Sequence, residues 1–193
     1  MIDRRNLIAG LATASLAGPA LAQPAFRPLF DGKSLDGWTR IGDANWTVKD
    51  GVAGADQASG ASFLLSNGSF RDFELLAEFW VSENANSGIF IRCTDRSQIT
   101  AGNAYEVNIY DTRPDPSYGT GAIVSVAKVS PMPKAGGRWN TMQITARGDT
   151  FSVVLNGQKT VDAAKDSAHA EGPIALQYHH DEIEFANVFI KEL

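Results

Sequence analysis

Between Ala104 and Asp111 the chain reads AYEVNIYD. Tyr105, Val107 and Ile109 alternate with Glu106, Asn108 and Tyr110, the period of a β-strand with one face in a core and the other turned out. The outward row carries a carboxylate, an amide and a phenol in succession, with Asp111 just beyond. Such a carboxylate can move a proton or anchor a hydroxyl, and the amide and phenol can hydrogen-bond around it. The row is either an ordinary solvated surface or the floor of a cleft.

Other segments show the same mixture. In FELLAEFWV (Phe73 to Val81) the inward set is Phe73, Leu75, Ala77, Phe79 and Val81, which leaves Glu78 and Trp80 outward. In SGIFIRC, Ile89, Ile91 and Cys93 point inward while Phe90 and Arg92 face out; in GPIALQYH, Gln177 and His179 face out. If these strands share a sheet, one face gathers Glu78, Trp80, Arg92, Glu106, Asn108, Tyr110, Gln177 and His179. Carboxylates, an Arg, amides and aromatic rings suit a carbohydrate, which offers dense hydroxyls and C–H faces that stack on rings. A solvated face would look similar, with Arg92 pairing with Glu78 or Glu106 across strands. The bulk of Trp80, Phe90 and Tyr110 on the nominally wet side favours the groove.

On that reading Glu106 is the acid/base or anchoring group, and Arg92 holds it ionised or clamps a sugar oxygen. Glu78 is a second candidate carboxylate. His179, whose unperturbed pKa lies near neutrality, suits a base. Trp80, Asn108, Tyr110, Asp111 and Gln177 complete the expected substrate contacts. Asp111 is five residues from Glu106, so only a β-bulge returns it to the same face; otherwise it is a strand-end residue bonding its own turn before Pro114. In HHDE (His179 to Glu182) neighbouring residues of a strand point to opposite faces, so both His cannot chelate unless the strand has ended. No catalytic metal or organic cofactor is expected. Asp31 and Asp36 in FDGKSLDG could give oxygens to a structural calcium, and a plain Asp-Gly turn explains them as well.

The elements that must position these groups are strands. Turn pairs Asp50-Gly51, Gly148-Asp149 and Asn156-Gly157 separate short alternating runs, and GAIVSVAK (Gly121 to Lys128) reads as a further strand. No long segment has helical period; Val161 to Ala170 could hold a turn or two. Ten or more short strands imply an all-β fold of two packed antiparallel sheets, a jelly-roll sandwich whose curved sheet offers a trough.

The 193 residues carry a formal charge of −5, and no Lys/Arg cluster interrupts that balance, which argues against nucleic acid as a partner. Residues 1–22 read as a cleaved export signal: Arg4-Arg5, an apolar run from Leu7 to Ala17 too short to span a bilayer, and a small-residue Ala20-Leu21-Ala22 end. The arginine pair fits the twin-arginine route. Residues 23–193 then form one jelly-roll domain, periplasmic or secreted, with no membrane anchor. Cys93 is the only cysteine, so the domain relies on its core and not on disulfides, and a buried inert thiol is expected.

LFDGKSLDGW, NSGIFIR, YEVNIYD, GRWNTMQITARG, LNGQ and GPIALQYH…IEFANVFIKEL occur in that order. From about Phe26 to Leu193 they resemble the 3-keto-disaccharide hydrolase domain family. The resemblance implies a concanavalin-like jelly roll, a bacterial exported protein and a glycoside-hydrolase-like activity on oxidised or ordinary sugars. It aligns Arg92, Glu106, Asp111, Gln177 and His179 with the family's motif residues. Asn108 replaces a usual Gln, and His180 stands where Gly is common. Three functions remain open: hydrolysis or elimination of a 3-keto-glycoside, a carbohydrate-binding module without turnover, and a periplasmic interaction domain.

Overall fold

Asp50 and Gly51, and likewise Asn156 and Gly157, all have positive φ. That conformation defines the type I′ turn, whose twist matches the strands it joins. The two hairpins so closed are β3 (Asn45–Lys49) with β4 (Val52–Asp56), and β10 (Thr150–Leu155) with β11 (Gln158–Lys165). A two-residue Gly148-Asp149 turn joins β9 (Arg138–Arg147) to β10. The computed structural model describes residues 25–193; the expected export signal at 1–22 lies outside the described residues.

The described residues form thirteen strands in two antiparallel sheets, an all-β jelly-roll sandwich. The larger sheet runs β11-β10-β9-β6-β13-β4-β3, where β6 is Phe73–Val81 and β13 is Ile183–Glu192; β1 (Arg27–Pro28) pairs with β13. The smaller sheet runs β2-β5-β12-β7-β8, built from Trp38–Ile41, Ser62–Ser66, Ala175–Tyr178, Ser87–Ile91 and Tyr105–Ile109. β6 shows how the alternating sequence becomes a layer: its odd residues are buried and its even residues half-buried. Phe73, Leu75 and Phe79 meet Ile89, Ile91, Val107 and Leu176 of the other sheet in one continuous core. Among the described residues no helix is long and apolar enough to cross a membrane.

Two expectations about elements are corrected. Gly121 to Lys128 is not a strand: Ser125 takes a positive φ, and Val126 and Ala127 donate back to Ile123 O, folding the segment on itself. It still borders β8, since Asn108 N–H donates to Ala122 O and Val124 N–H to Glu106 O. The turn or two of helix that Val161 to Ala170 could hold does not form: residues 161–165 continue β11, with an irregular register against β10.

Candidate active site

Arg92 is where alternation fails. β7 ends at Ile91, and Arg92 takes a φ of 54°, a conformation uncommon for residues other than glycine. The kink exchanges the faces. Arg92 enters the end of the sandwich with 1% of its side chain exposed, and Cys93 joins a small apolar cluster on the outer side with Phe63, Phe90 and Ile99. The guanidinium donates to the carbonyls of Arg71, Gly148 and His169 and to Asp72 Oδ1. It therefore clamps three chain segments, and it neither touches Glu106 nor faces the polar row.

Glu78 and Trp80 are also elsewhere. Ser82 to Asn86 carries the chain from one sheet to the other instead of closing a hairpin, so β6 lies in the larger sheet between β13 and β9. The gathering of all eight residues on one face is thus corrected to five positions on or bordering the smaller sheet.

Three of those positions, Glu106, Asn108 and Gln177, are ordered by register. Gly88 is opposite Asn108, and Phe90 is opposite Glu106. Ala175 is opposite Phe90, and the same register continued sets Gln177 beside Gly88. Ala175, Phe90 and Glu106 thus form one cross-strand row, and Gln177, Gly88 and Asn108 the next, about 7 Å further along. Gly88 leaves a notch: a Cβ there would stand 3.5 Å from both Gln177 Oε1 and Glu106 Cγ.

Beyond the notch β12 ends at Tyr178, and His179 N–H donates to Asn86 O. With the strand ended, the His179 and His180 rings meet, Nδ1 to Nδ1 at 2.9 Å, and the Tyr110 ring packs edge-on against His180 with centroids 5.9 Å apart.

A family model described as a 3-keto-alpha-glucoside-1,2-lyase-like domain matches residues 25–191. The chain belongs to this family. A 3-keto-disaccharide hydrolase of Bacteroides thetaiotaomicron is 26% identical over 224 aligned positions, covering 86% of this chain and 77% of the relative. The crystal structure of a candidate glycosyl hydrolase from Parabacteroides distasonis superposes with a TM-score of 0.70 at 26% identity, over 88% of this chain and all of that one. A carbohydrate-binding module, CBM66 of Bacillus subtilis, shares the fold, with a TM-score of 0.65 at 22% identity over 81% of this chain and 96% of the module.

Within this lyase-like domain the electrostatics centre on Glu106. Burial raises its pKa to about 6, and Arg113 opposes the shift. Arg113, in the loop after β8, therefore takes the electrostatic role that the sequence had assigned to Arg92. Asn108 is wholly buried and Gln177 is 6% exposed. Asn108 Nδ2 donates to Tyr118 O at 2.6 Å, which fixes its amide, yet Asn108 Oδ1 and Gln177 Oε1 are buried without partners. A buried acceptor left unpaired costs about 1–3 kcal/mol, and two of them beside a carboxyl is a pattern that folding alone does not favour. Phe90 is no groove wall: it packs edge-on against Phe63 at 5.2 Å under the Ile99 segment and closes one end of the face.

Asp111 takes the strand-end place and no bulge returns it to the face. Its carboxylate accepts from Thr120 Oγ1 and from the N–H groups of Ala135 and Gly136, so it ties two loops together. Part of the burial of His179, and then the neighbouring His180, lower the His179 pKa below its ordinary value. Asp31 Oδ1 accepts from Lys33 and Ser34 N–H, the bonding of a plain turn. Among the described residues no three His, Cys, Asp or Glu side chains are grouped to hold a metal. Sequence reasoning missed Gly88, Arg113 and the His179–His180 contact; the end of β12 was the signal for the last.

Proposed function

We propose that this domain cleaves a 3-keto-glycoside by elimination and hydration, with Glu106 and His179 as the proton-transfer groups. The observation that carries this reading is Glu106, a carboxyl raised to about 6 by burial and bordered by two amide oxygens that lack partners. It is the only Asp or Glu on the outward positions of the smaller sheet's strands, Thr39, Ile41, Phe63, Leu65, Gly88, Phe90, Glu106, Asn108, Ala175 and Gln177. Ordinary glycoside hydrolysis uses two carboxylates flanking the bond, and Asp111, the nearest acid in sequence, is committed to Thr120, Ala135 and Gly136. A ketone at carbon 3 removes that requirement, because it acidifies the hydrogen on carbon 2.

Neutral His179 takes the proton from carbon 2. The electron pair moves into a carbon 1–carbon 2 double bond while the bond from carbon 1 to the leaving oxygen breaks. The leaving alkoxide takes the proton of Glu106. Water then adds: its hydroxyl goes to carbon 1, its remaining proton to Glu106, and His179 returns a proton to carbon 2. Gln177, beside the Gly88 notch, accepts a hydrogen bond from a sugar hydroxyl, and Asn108, covered by Tyr118, forms the floor behind it. In this reading residues 1–22 direct export, and the domain meets its sugar in the periplasm or outside the cell.

The test is turnover of 3-keto-trehalose by the purified domain in heavy water. Elimination and hydration leave deuterium on carbon 2 of the released 3-keto-glucose, above an enzyme-free control. Direct hydrolysis leaves protium there and would overturn the mechanism. The single carboxylate also fits a binding module; specific retention of the sugar with no turnover would favour that second reading.

A further inference from the structure

Trp139 is 48% exposed, whereas Trp38 and Trp46 are buried in the core. The other exposed large apolar residues, Phe26 and Leu193, lie at the ends of the described chain; Trp139 lies inside β9, on the outer face of the larger sheet. It pairs across strands with Trp80, Trp80 with Glu184, Glu184 with Gly54, and Gly54 with Thr47. One straight row thus crosses five strands, about 19 Å from end to end. Trp80 stands on this row and Glu78 on the next, and the site around Glu106 uses neither.

Three cavities adjoin this row. One of about 430 Å³ is lined by Trp139, Glu78, Asn187, Asp50 and Val52. Asp50 and Val52 also line a second, of about 390 Å³, with Thr47, Gly54 and Glu184. The last three line a third, of about 360 Å³, which extends to Tyr178 and Asp181. Shared walls join them into one groove along the β3–β4 hairpin. Gly51 and Gly54 keep its floor low, and Asn187 Nδ2 holds Glu78 at 2.7 Å.

Lining charges select the occupant. Asp50, Asp56, Glu78, Asp181, Glu182 and Glu184 face the groove, against Lys49 as the only cation among its lining residues. That balance repels phosphate, sulfate, uronic acids and a second copy of this acidic chain, while carboxylates accept well from hydroxyls. An exposed indole beside such acceptors suits a sugar ring, whose C–H face stacks on it. We propose that this groove is a second saccharide-binding site, which takes an uncharged oligosaccharide with one ring on Trp139 and hydroxyls on Glu78, Asp50 and Glu184. It is independent of the reading of Glu106, which lies on the opposite sheet.

Affinity electrophoresis tests it, with laminarin, hydroxyethylcellulose, dextran and amylopectin as neutral probes and alginate as the anionic one. The wild-type domain is expected to be retarded by at least one neutral glucan and not by alginate. Trp139→Ala should weaken that retardation at least tenfold, Trp139→Tyr should keep part of it, and Glu106→Gln should leave it intact. Retardation by none of the neutral glucans, or by alginate alone, overturns the proposal. So does full retardation of Trp139→Ala, or a loss that follows Glu106→Gln. Because Trp139 is exposed, melting of the Ala variant close to the wild type confirms that binding and not folding was changed.

Discussion

Nδ1 of His179 stands 2.9 Å from Nδ1 of His180, within hydrogen-bond reach. Burial first, and then the neighbouring His180, disfavour a charge on His179, whose pKa lies below its ordinary value. If neutral His179 is the base, kcat/KM falls on the acid side as His179 becomes protonated. Removing His180 in His180→Ala removes that repulsion and raises the His179 pKa, so the acid limb should move to higher pH. A pH–rate profile of both proteins checks this; a limb that stays in place would separate His180 from the base.

In the proposed mechanism Glu106 would set the alkaline side, and its burial leaves a mark on stability. Its pKa rises from 4.5 unfolded to about 6 folded, so the folded state binds more protons between those values. Stability therefore falls as pH rises from about 4.5 to 6 and levels off above, a loss of order 1–2 kcal/mol. Glu106→Gln should abolish this slope and be the more stable protein at pH 7. Urea denaturation at pH 4.5, 6 and 7.5 measures it, and parallel curves for the two proteins would show that Glu106 is not desolvated.

The fold was legible because its signals are local. Alternation over Phe73 to Val81 and the Asp50-Gly51 and Asn156-Gly157 pairs each set a strand or turn by nearest-neighbour sterics. Glu106, Asn108 and Gln177 were placed on one face correctly because each lies within an uninterrupted strand. Arg92 and Cys93 were misassigned because period two holds only while φ stays extended, and nothing in SGIFIRC announces the kink. Glu78 and Trp80 were misassigned for a different reason: a strand's pattern shows which residues share a face and not which sheet it enters. The crossing at Ser82 to Asn86 is a tertiary choice.

Arg92 is a structural residue, and its replacement should say so. Arg92→Met leaves the carbonyls of Arg71, Gly148 and His169 short of donors and Asp72 without its cation. The loss should be about 3 kcal/mol or more. Thermal unfolding should show it, with no change in the pH dependence of any activity that survives. A variant as stable as the wild type would contradict the clamp.

Two glycines separate notch from scaffold. A Cβ on Gly88 meets nothing nearer than Val107 O at 3.2 Å, but on Gly172 it would lie 2.3 Å from Cys93 O. Gly88→Ala should fold and lose substrate affinity at least tenfold by filling the space beside Gln177 and Glu106, whereas Gly172→Ala should fail to accumulate as folded protein. Circular dichroism and KM measurements on the soluble material distinguish them.

Cys93 should behave as a core atom. Burial pushes its thiol up to about 12, so a thiol reagent at pH 8 should label it only after unfolding. Rapid labelling of the native domain would mean that the Ile99 segment opens over the outer cluster.

The most direct measurement compares kcat/KM of the wild type and Glu106→Gln on 3-keto-trehalose at pH 6, with both proteins shown to be folded. A fall of at least about a hundredfold is predicted, the scale of losing a positioned proton-transfer group. Turnover within twofold of the wild type would remove Glu106 from the chemistry and the account with it.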